Sequence, residues 1–362
     1  MSNFKSWFSR ILDKADDAID AIKTAAKQQF NLSSPIEVVV YNNYITAQTL
    51  NIFGRVLERK DIKETQSADS AWDNFVTSYQ YMNSDEVPNA KLSLTFQGEN
   101  YETTSDKEGY FSFSIAVSET EPLPTENPFT VSIKLISPAS EPNTEVIGVG
   151  KIFRPSDNAQ IAIVSDIDDT ILQTDATNFW SMAKNTFLQN AKTRHTFAGV
   201  SEFYQALQKG KNNDSQQPFF YVSSSPWNLF NMLSDFLELQ NIPDGVLLLR
   251  DFGMDKDKIG AGTHGNHKYN NIEALFKNFP QLRFVLIGDS GQQDMDIYRR
   301  LAENYPQHIA AIYIRDVQLN KREDWEREQL DLAQKSGVEM LLSPNTSDFQ
   351  ADAVKKGLIA NL

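Results

Sequence analysis

The feature that most constrains this chain is a set of short apolar runs that each end in polar residues. Ile161–Val164 leads into Ser165-Asp166-Ile167-Asp168-Asp169-Thr170, and Phe219–Val222 leads into Ser223-Ser224-Ser225-Pro226. The run closing at Ile287 leads into Gly288-Asp289-Ser290-Gly291-Gln292-Gln293-Asp294. Further runs lie at 246–249 and 309–314, and helical spacing separates most of them, at 197–209, 226–239 and 269–279. A last strand–helix pair is expected at 338–342 and 347–358. This alternation predicts an α/β fold, a parallel sheet with crossover helices. Open α/β sheets hold ligands at the carboxyl ends of their strands. The polar sets, together with Lys268 ahead of the fourth run, therefore converge on one rim.

Residues 35–153 follow a different period. Leu92, Leu94 and Phe96 alternate with polar residues, as do Phe111, Phe113, Ile115 and Val117. Period 2 predicts half-buried strands, with others near 36–41, 50–58, 131–136 and 145–153. A short helix is expected near 71–81. Ser105-Asp106-Lys107-Glu108-Gly109 has turn chemistry and is expected to close a hairpin. Together these predict a small all-β sandwich. Ahead of it, Phe4, Trp7, Phe8, Ile11, Leu12, Ala15, Ile19 and Ile22 recur at helical spacing and predict one amphipathic helix over 3–29. That helix docks on protein, or lies on a membrane surface. Asp13, Asp16, Asp17 and Asp20 offset much of its positive charge and weigh against the membrane. The expected layout is a helix in 1–34, a sandwich in 35–156 and an α/β domain in 157–362.

The 362 residues carry a net charge of −14. A negative surface repels phosphate backbones and excludes a general nucleic-acid binder. Any phosphate site must reverse that field locally, with a metal ion or a placed lysine. There is no cysteine, which removes disulfides, thiolate catalysis and zinc–thiolate sites. His264 and His267 lack companions at ligand spacing and do not make a metal site. Residues 1–30 show no apolar signal region, and no stretch reaches membrane-span length. The expected location is cytoplasmic, with peripheral membrane contact as an addition.

Strand-Asp-x-Asp-x-Thr, strand-Ser, a lysine, and strand-Gly-Asp-x-x-x-x-Asp occur here in that order. Over about 160–318 the chain thereby resembles the haloacid dehalogenase superfamily. Ser165–Ile171, Ser223-x-Ser225-Pro226-Trp227, His267-Lys268, Gly288–Asp294 with Ile297-Tyr298, and Arg315-Asp316 are similar to the actin-patch phosphatidate phosphatase family. The similarity is much looser before residue 150, where Asp106 to Phe113 resembles the turn of transthyretin-like sandwich modules. The resemblance implies a Rossmann-like haloacid dehalogenase fold and a hydrolase acting on a phosphomonoester.

It also implies roles that the chemistry supports. Asp166 is expected to attack phosphorus and split one hard step into two. Asp168 is expected to protonate the leaving oxygen and then deprotonate water. The metal set is Asp166, Asp289, the Asp168 backbone carbonyl and Asp294, around Mg²⁺, a hard ion that prefers oxygen. Asp294 either joins the metal directly or orients Lys268 or a metal-bound water. Lys268 neutralises the phosphoryl oxygens and Ser223 donates to one of them, Ser224 being one residue away. Lys256 and Lys258 compete with Lys268, which is preferred because it opens the helix into the Asp289 strand. Thr170 braces the loop, while Asp169 has a helix-start or supporting position. Ser225 before Pro226 reads as a helix N-cap with proline at the first helical position.

A dehalogenase needs no acid for its leaving halide, whereas an alkoxide does, so Asp168 favours a phosphatase. A helical pattern at 178–190 suggests a small cap that leaves room for a bulky substrate. The resemblance implies phosphatidate, converted to diacylglycerol. A sugar phosphate, nucleotide or phosphoprotein fits the same chemistry, and an idle scaffold is the reading least compatible with a complete set of acids and lysine.

Overall fold

The computed structural model describes residues 35–58, 85–138, 145–167, 170–171, 197–212, 216–250, 264–291, 293–317 and 323–360. The helices expected over 3–29, near 71–81 and near 178–190 lie outside these residues, as do Asp168, Asp169, Lys256 and Lys258.

The first strands are β1 (Ile36–Val40), β2 (Asn43–Tyr44), β3 (Thr49–Glu58), β4 (Asp85–Glu86) and β5 (Lys91–Phe96). They are followed by β6 (Glu99–Thr104), β7 (Tyr110–Ala116), β8 (Phe129–Ser137) and β9 (Ile147–Phe153). β3 pairs with β1, β4 and β7, while a second sheet runs β2-β9-β8-β5-β6. All these pairings are antiparallel except β2 with β9. Alternation along β5, β7 and β8 buries every second side chain. Val38 and Val40 of β1, Ile52 and Val56 of β3, Leu92 and Leu94 of β5, and Ile133 of β8 thereby meet in one apolar core.

The 105–109 turn does not close a hairpin. β6 before it pairs with β5, and β7 after it pairs with β3, so the chain passes from one sheet to the other. The local chemistry is as expected, since Asp106 Oδ1 accepts from the backbone N–H of Glu108 and Tyr110 and Gly109 has φ +78°. Turn residues specify the reversal, while which strand each arm joins is decided by the core.

The second half opens with β10 (Ile161–Ser165), α1 (Val200–Lys209), β11 (Phe219–Pro226) and α2 (Phe230–Leu239). Then come β12 (Val246–Arg250), α3 (His264–Asn278), β13 (Arg283–Asp289) and α4 (Asp294–Asn304). β14 (Ile309–Arg315), α5 (Glu323–Lys335), β15 (Met340–Ser343) and α6 (Thr346–Lys355) complete it. The six strands form one parallel sheet in the order β12-β11-β10-β13-β14-β15.

Successive residues of each central strand enter different cores. Ile163, Tyr221, Val285 and Ile287 join α1, α2 and α6 on one face. Val164, Phe220, Phe284 and Leu286 join α3, α4 and α5 on the other. Burial on both faces is why these strands read as continuous apolar runs rather than alternating ones. The chain runs outward from β10 to β12 and then returns to β13 on the opposite side. That reversal opens a crevice at the carboxyl ends of β10 and β13.

The β-rich segment packs onto the parallel sheet through aromatic side chains. Tyr41, between β1 and β2, stacks on Trp227 at 4.4 Å between ring centroids and leans on Phe230. Phe53 meets the same indole edge-on at 5.1 Å. Tyr44 contacts Phe220 and Phe279, and its hydroxyl accepts a hydrogen bond from Asn278. Lys151 pairs with Asp244, just before β12.

Tyr41 is 2 % exposed, so Tyr41→Ala opens a cavity between the two segments. A loss of about 3–5 kcal/mol is expected from removing a buried ring of this size. Urea unfolding followed by tryptophan fluorescence measures it.

Candidate acid–lysine site

The parallel ladder delivers the site residues to one level. β10 and β11 align Ser165 with Tyr221, and β10 and β13 align Ser165 with Ile287. Asp166 extends the ladder by one residue, its backbone N–H donating to the Ile287 carbonyl at 2.9 Å. Ser223 lies two residues beyond Tyr221, and Asp289 two beyond Ile287. The three polar sets thus reach the rim because the apolar runs before them are in register.

Asp166, Asp289 and Asp294 are buried, and their carboxylates each offer an oxygen within 4.8 Å of the others. Lys268, from the first turns of α3, donates to Asp166 Oδ1 at 2.8 Å and to Asp294 Oδ1 at 2.7 Å. Asp294 is the first residue of α4, where a carboxylate suits the helix dipole. Its second oxygen accepts from the Asp289 backbone N–H at 3.3 Å. Asp289 Oδ1 accepts from the Gly291 N–H at 2.7 Å. Thr170 is buried, with its hydroxyl 3.5 Å from Asp166 Oδ2.

Gly288 makes this packing achievable. A Cβ there would fall 2.6 Å from Asp294 Oδ2 and 2.9 Å from the Tyr298 ring. Tyr298 itself donates to the Ile287 carbonyl at 3.0 Å, pinning α4 to β13. On the other face the Ser165 hydroxyl bonds to the Asp166 carbonyl and shares a 2.8 Å hydrogen bond with Tyr204 of α1. Tyr204 reads in the sequence as an ordinary core position of a helix, and nothing local marks it as a neighbour of Asp166.

Ser223 is buried, and its oxygen accepts from the Ser225 N–H at 3.0 Å. Pairing of β11 with β12 shifts register between Val222 and Pro226. The three serines therefore lie in a bulge, a device that re-aims side chains beside functional sites. Ser224 is only half-buried. Ser225 is not a helix cap: it belongs to β11, and the 3₁₀ turn Trp227–Leu229 is preceded by Pro226 in extended conformation, without a side-chain cap. The sheet extends further than the proline suggested because Pro226 still aligns with Arg250. His267 lies outside the acid cluster, its ring 3.1 Å from the Asn271 amide.

The electrostatics favour a charged lysine. Burial alone pushes the Lys268 ammonium toward neutrality, but Asp166, Asp294 and Asp289 together raise its pKa above the ordinary value. Three hard oxygen donors grouped within a few ångströms suit an ion such as Mg²⁺ or Ca²⁺ better than a soft metal. Their negative charge exceeds what a single ammonium balances.

The geometry thus defines a parallel α/β segment with a buried acid–lysine centre at its strand ends. Residues 161–316 match the family model described as "Phosphatidate phosphatase APP1, catalytic domain". The family resemblance carried by the motifs is therefore borne out over this segment. Phosphatidate phosphatase APP1 of Saccharomyces cerevisiae is 35% identical over 156 residues, covering 43% of this chain and 26% of that protein. An uncharacterized protein of Schizosaccharomyces pombe is 29% identical over 220 residues, 60% of this chain and 34% of that one. The chain thus spans between a quarter and about a third of the length of these curated relatives. Among solved structures, a Bifidobacterium dentium β-glucuronidase aligns over 85% of this chain and 53% of that one. Its TM-score of 0.26 and 12% identity define no shared fold.

Two outcomes are expected at this site. Lys268→Met leaves buried carboxylates without their cation and costs about 3–5 kcal/mol, measured by denaturant unfolding in EDTA. Because the folded pKa is raised, the lysine's contribution is complete below its unfolded pKa of about 10.4 and fades as pH rises through the folded value. As pH rises from neutrality the stability difference between wild type and variant is therefore expected to hold until strong alkali, where it narrows. Gly288→Ala displaces Asp294, and a crystal structure of the variant is expected to show the Lys268–Asp294 pair lengthened or broken.

Proposed function

We propose that the chain hydrolyses a phosphomonoester through an aspartyl-phosphate on Asp166, with Mg²⁺ as cofactor and phosphatidate as substrate. The observation that carries this reading is the joining of Asp166, Asp289, Asp294 and Lys268 at one strand-end crevice, inside the segment that matches a phosphatidate phosphatase catalytic domain. In this reading residues 157–362 are a haloacid dehalogenase-like domain. Residues 35–156 are a β-sandwich that docks on it, and 1–34 are an amphipathic helix.

Asp166 attacks phosphorus, and the ester oxygen leaves with a proton from Asp168. Asp168 then takes a proton from the water that hydrolyses the acyl phosphate. Lys268 holds Asp166 in place and offers positive charge to the phosphoryl oxygens, and Ser223 donates to one of them. Asp166 and Asp289, with the Asp168 carbonyl, would hold Mg²⁺, which supplies charge stabilisation for the transferring phosphoryl group. Asp294 anchors Lys268 through their 2.7 Å contact.

Among the described residues no helix is long and apolar enough to cross a membrane. Peripheral contact with a lipid substrate by a cytoplasmic protein is proposed in addition.

The test is Mg²⁺-dependent phosphate release from short-chain phosphatidate, sugar phosphates and nucleotides, with Asp166→Asn in parallel. Release confined to phosphatidate and abolished in the variant is the expected result. Release from soluble esters alone keeps the chemistry and removes the lipid. Equal rates for wild type and variant remove the nucleophile.

A further inference from the structure

Arg315 closes β14, a strand whose residues are otherwise almost wholly buried and apolar. Its side chain is itself buried, at 3 % exposed for the residue. Among the described residues its acceptors are all neutral. Nε donates to the Thr170 carbonyl at 3.3 Å, one Nη to the Pro344 carbonyl at 3.0 Å, and the other to Thr346 Oγ1 at 2.9 Å. The guanidinium carbon lies 4.2 Å from the centre of the Phe197 ring and 5.8 Å from that of Phe349. A buried cation held by dipoles and ring faces costs desolvation that no ion pair among the described residues returns. Burial accordingly pushes its pKa below the ordinary value.

The backbone of the same residue is tied to the other acid-bearing loop. β13 and β14 align Asp289 with Arg315. The Arg315 carbonyl accepts from the Ser290 N–H at 2.9 Å, and two residues on, the Val317 N–H donates to the Ser290 hydroxyl at 3.2 Å. One residue thus touches the segment after β10, which carries Asp166 and Thr170, and the loop that begins at Ser290, directly after Asp289 ends β13. Only a planar fork with several fixed donors reaches the Thr170 carbonyl and the start of α6 together. A lysine ammonium has no such geometry.

We propose that Arg315 is a positioning residue that sets the separation of the Asp166 and Asp289 loops, and with it the affinity of the acid cluster for Mg²⁺. The inference rests on the functional reading above for the metal, and on the geometry alone for the tether. It gives a reason for a guanidinium at a place where packing by itself would call for an apolar side chain. Residues that hold metal-binding groups in place typically change metal affinity by about 10–100-fold when lost. A small misplacement of reacting groups costs on the order of 10²-fold in rate.

The experiment compares wild type, Arg315→Met, Arg315→Lys and Thr346→Val by calorimetric Mg²⁺ titration of the folded proteins, with kcat, KM and Tm beside it. Phe276→Leu serves as a packing control on the opposite face, where its ring leans on Phe284 at 4.7 Å between centroids. Arg315→Met is expected to weaken Mg²⁺ binding by at least about 10-fold and to lower kcat much more than it changes KM. Arg315→Lys is expected to recover only part of the affinity, and Thr346→Val, which removes one anchor and folds if Arg315→Met does not, to weaken it less. Phe276→Leu is expected to lower Tm with Mg²⁺ affinity unchanged. Wild-type affinity in both Arg315→Lys and Thr346→Val, or in a folded Arg315→Met, overturns the positioning role and leaves the functional reading intact. A wild-type chain that takes up no Mg²⁺ and releases no phosphate overturns both.

Discussion

The repulsion among three buried carboxylates is the constraint around which the parallel-sheet half is arranged. Asp166, Asp289 and Asp294 sit where water cannot screen them, and like charges in such a place do not stay together unaided. Lys268 bridges two of them, the Asp289 and Gly291 N–H groups serve oxygens of Asp294 and Asp289, and the α4 dipole favours Asp294. Each of these partners comes from a different element, so the sheet, α3 and α4 must all be in place before the cluster is tolerable. The parallel order supplies that, because β10 and β13 are neighbours only after the chain reverses direction at β10.

Apolar packing does the remaining work on either side. The two faces of the parallel sheet are separate cores, and strand residues alternate between them. On the first face Tyr204 reaches the Asp166 backbone through Ser165, and on the second Tyr298 ties α4 to β13. The β-rich segment joins the first core through Tyr41, Phe53 and Trp227, immediately after the serine bulge of β11. The shape of that bulge is thus connected physically to a segment that carries no part of the acid cluster.

Much of this was legible in residue order because burial on two faces leaves a plain signature. The runs at 161–164, 219–222 and 284–287 are apolar throughout, so their ends stand out, with Asp166, Ser223 and Asp289 just beyond them; Lys268 follows no such run and is marked only by the helix it opens. The failures have local causes as well. Asp106 and Gly109 specify a reversal but not the partner of the strands they connect, and the expected hairpin is a crossing between sheets. Ser225-Pro226 has the chemistry of a helix start, yet continued pairing with β12 holds it in the strand.

The sequence by itself determined the alternating α/β order, the two-period division near residue 155, and the set of acids with one lysine. These follow from side-chain hydrophobicity and spacing, which act over a few residues. Tertiary structure alone decided that Lys268 spans Asp166 and Asp294, that Tyr204 stands behind the Asp166 backbone, and that Arg315 reaches Thr170 from a strand that lies 145 positions away. Contacts at such separations depend on strand order and register, which are settled only when the whole core packs.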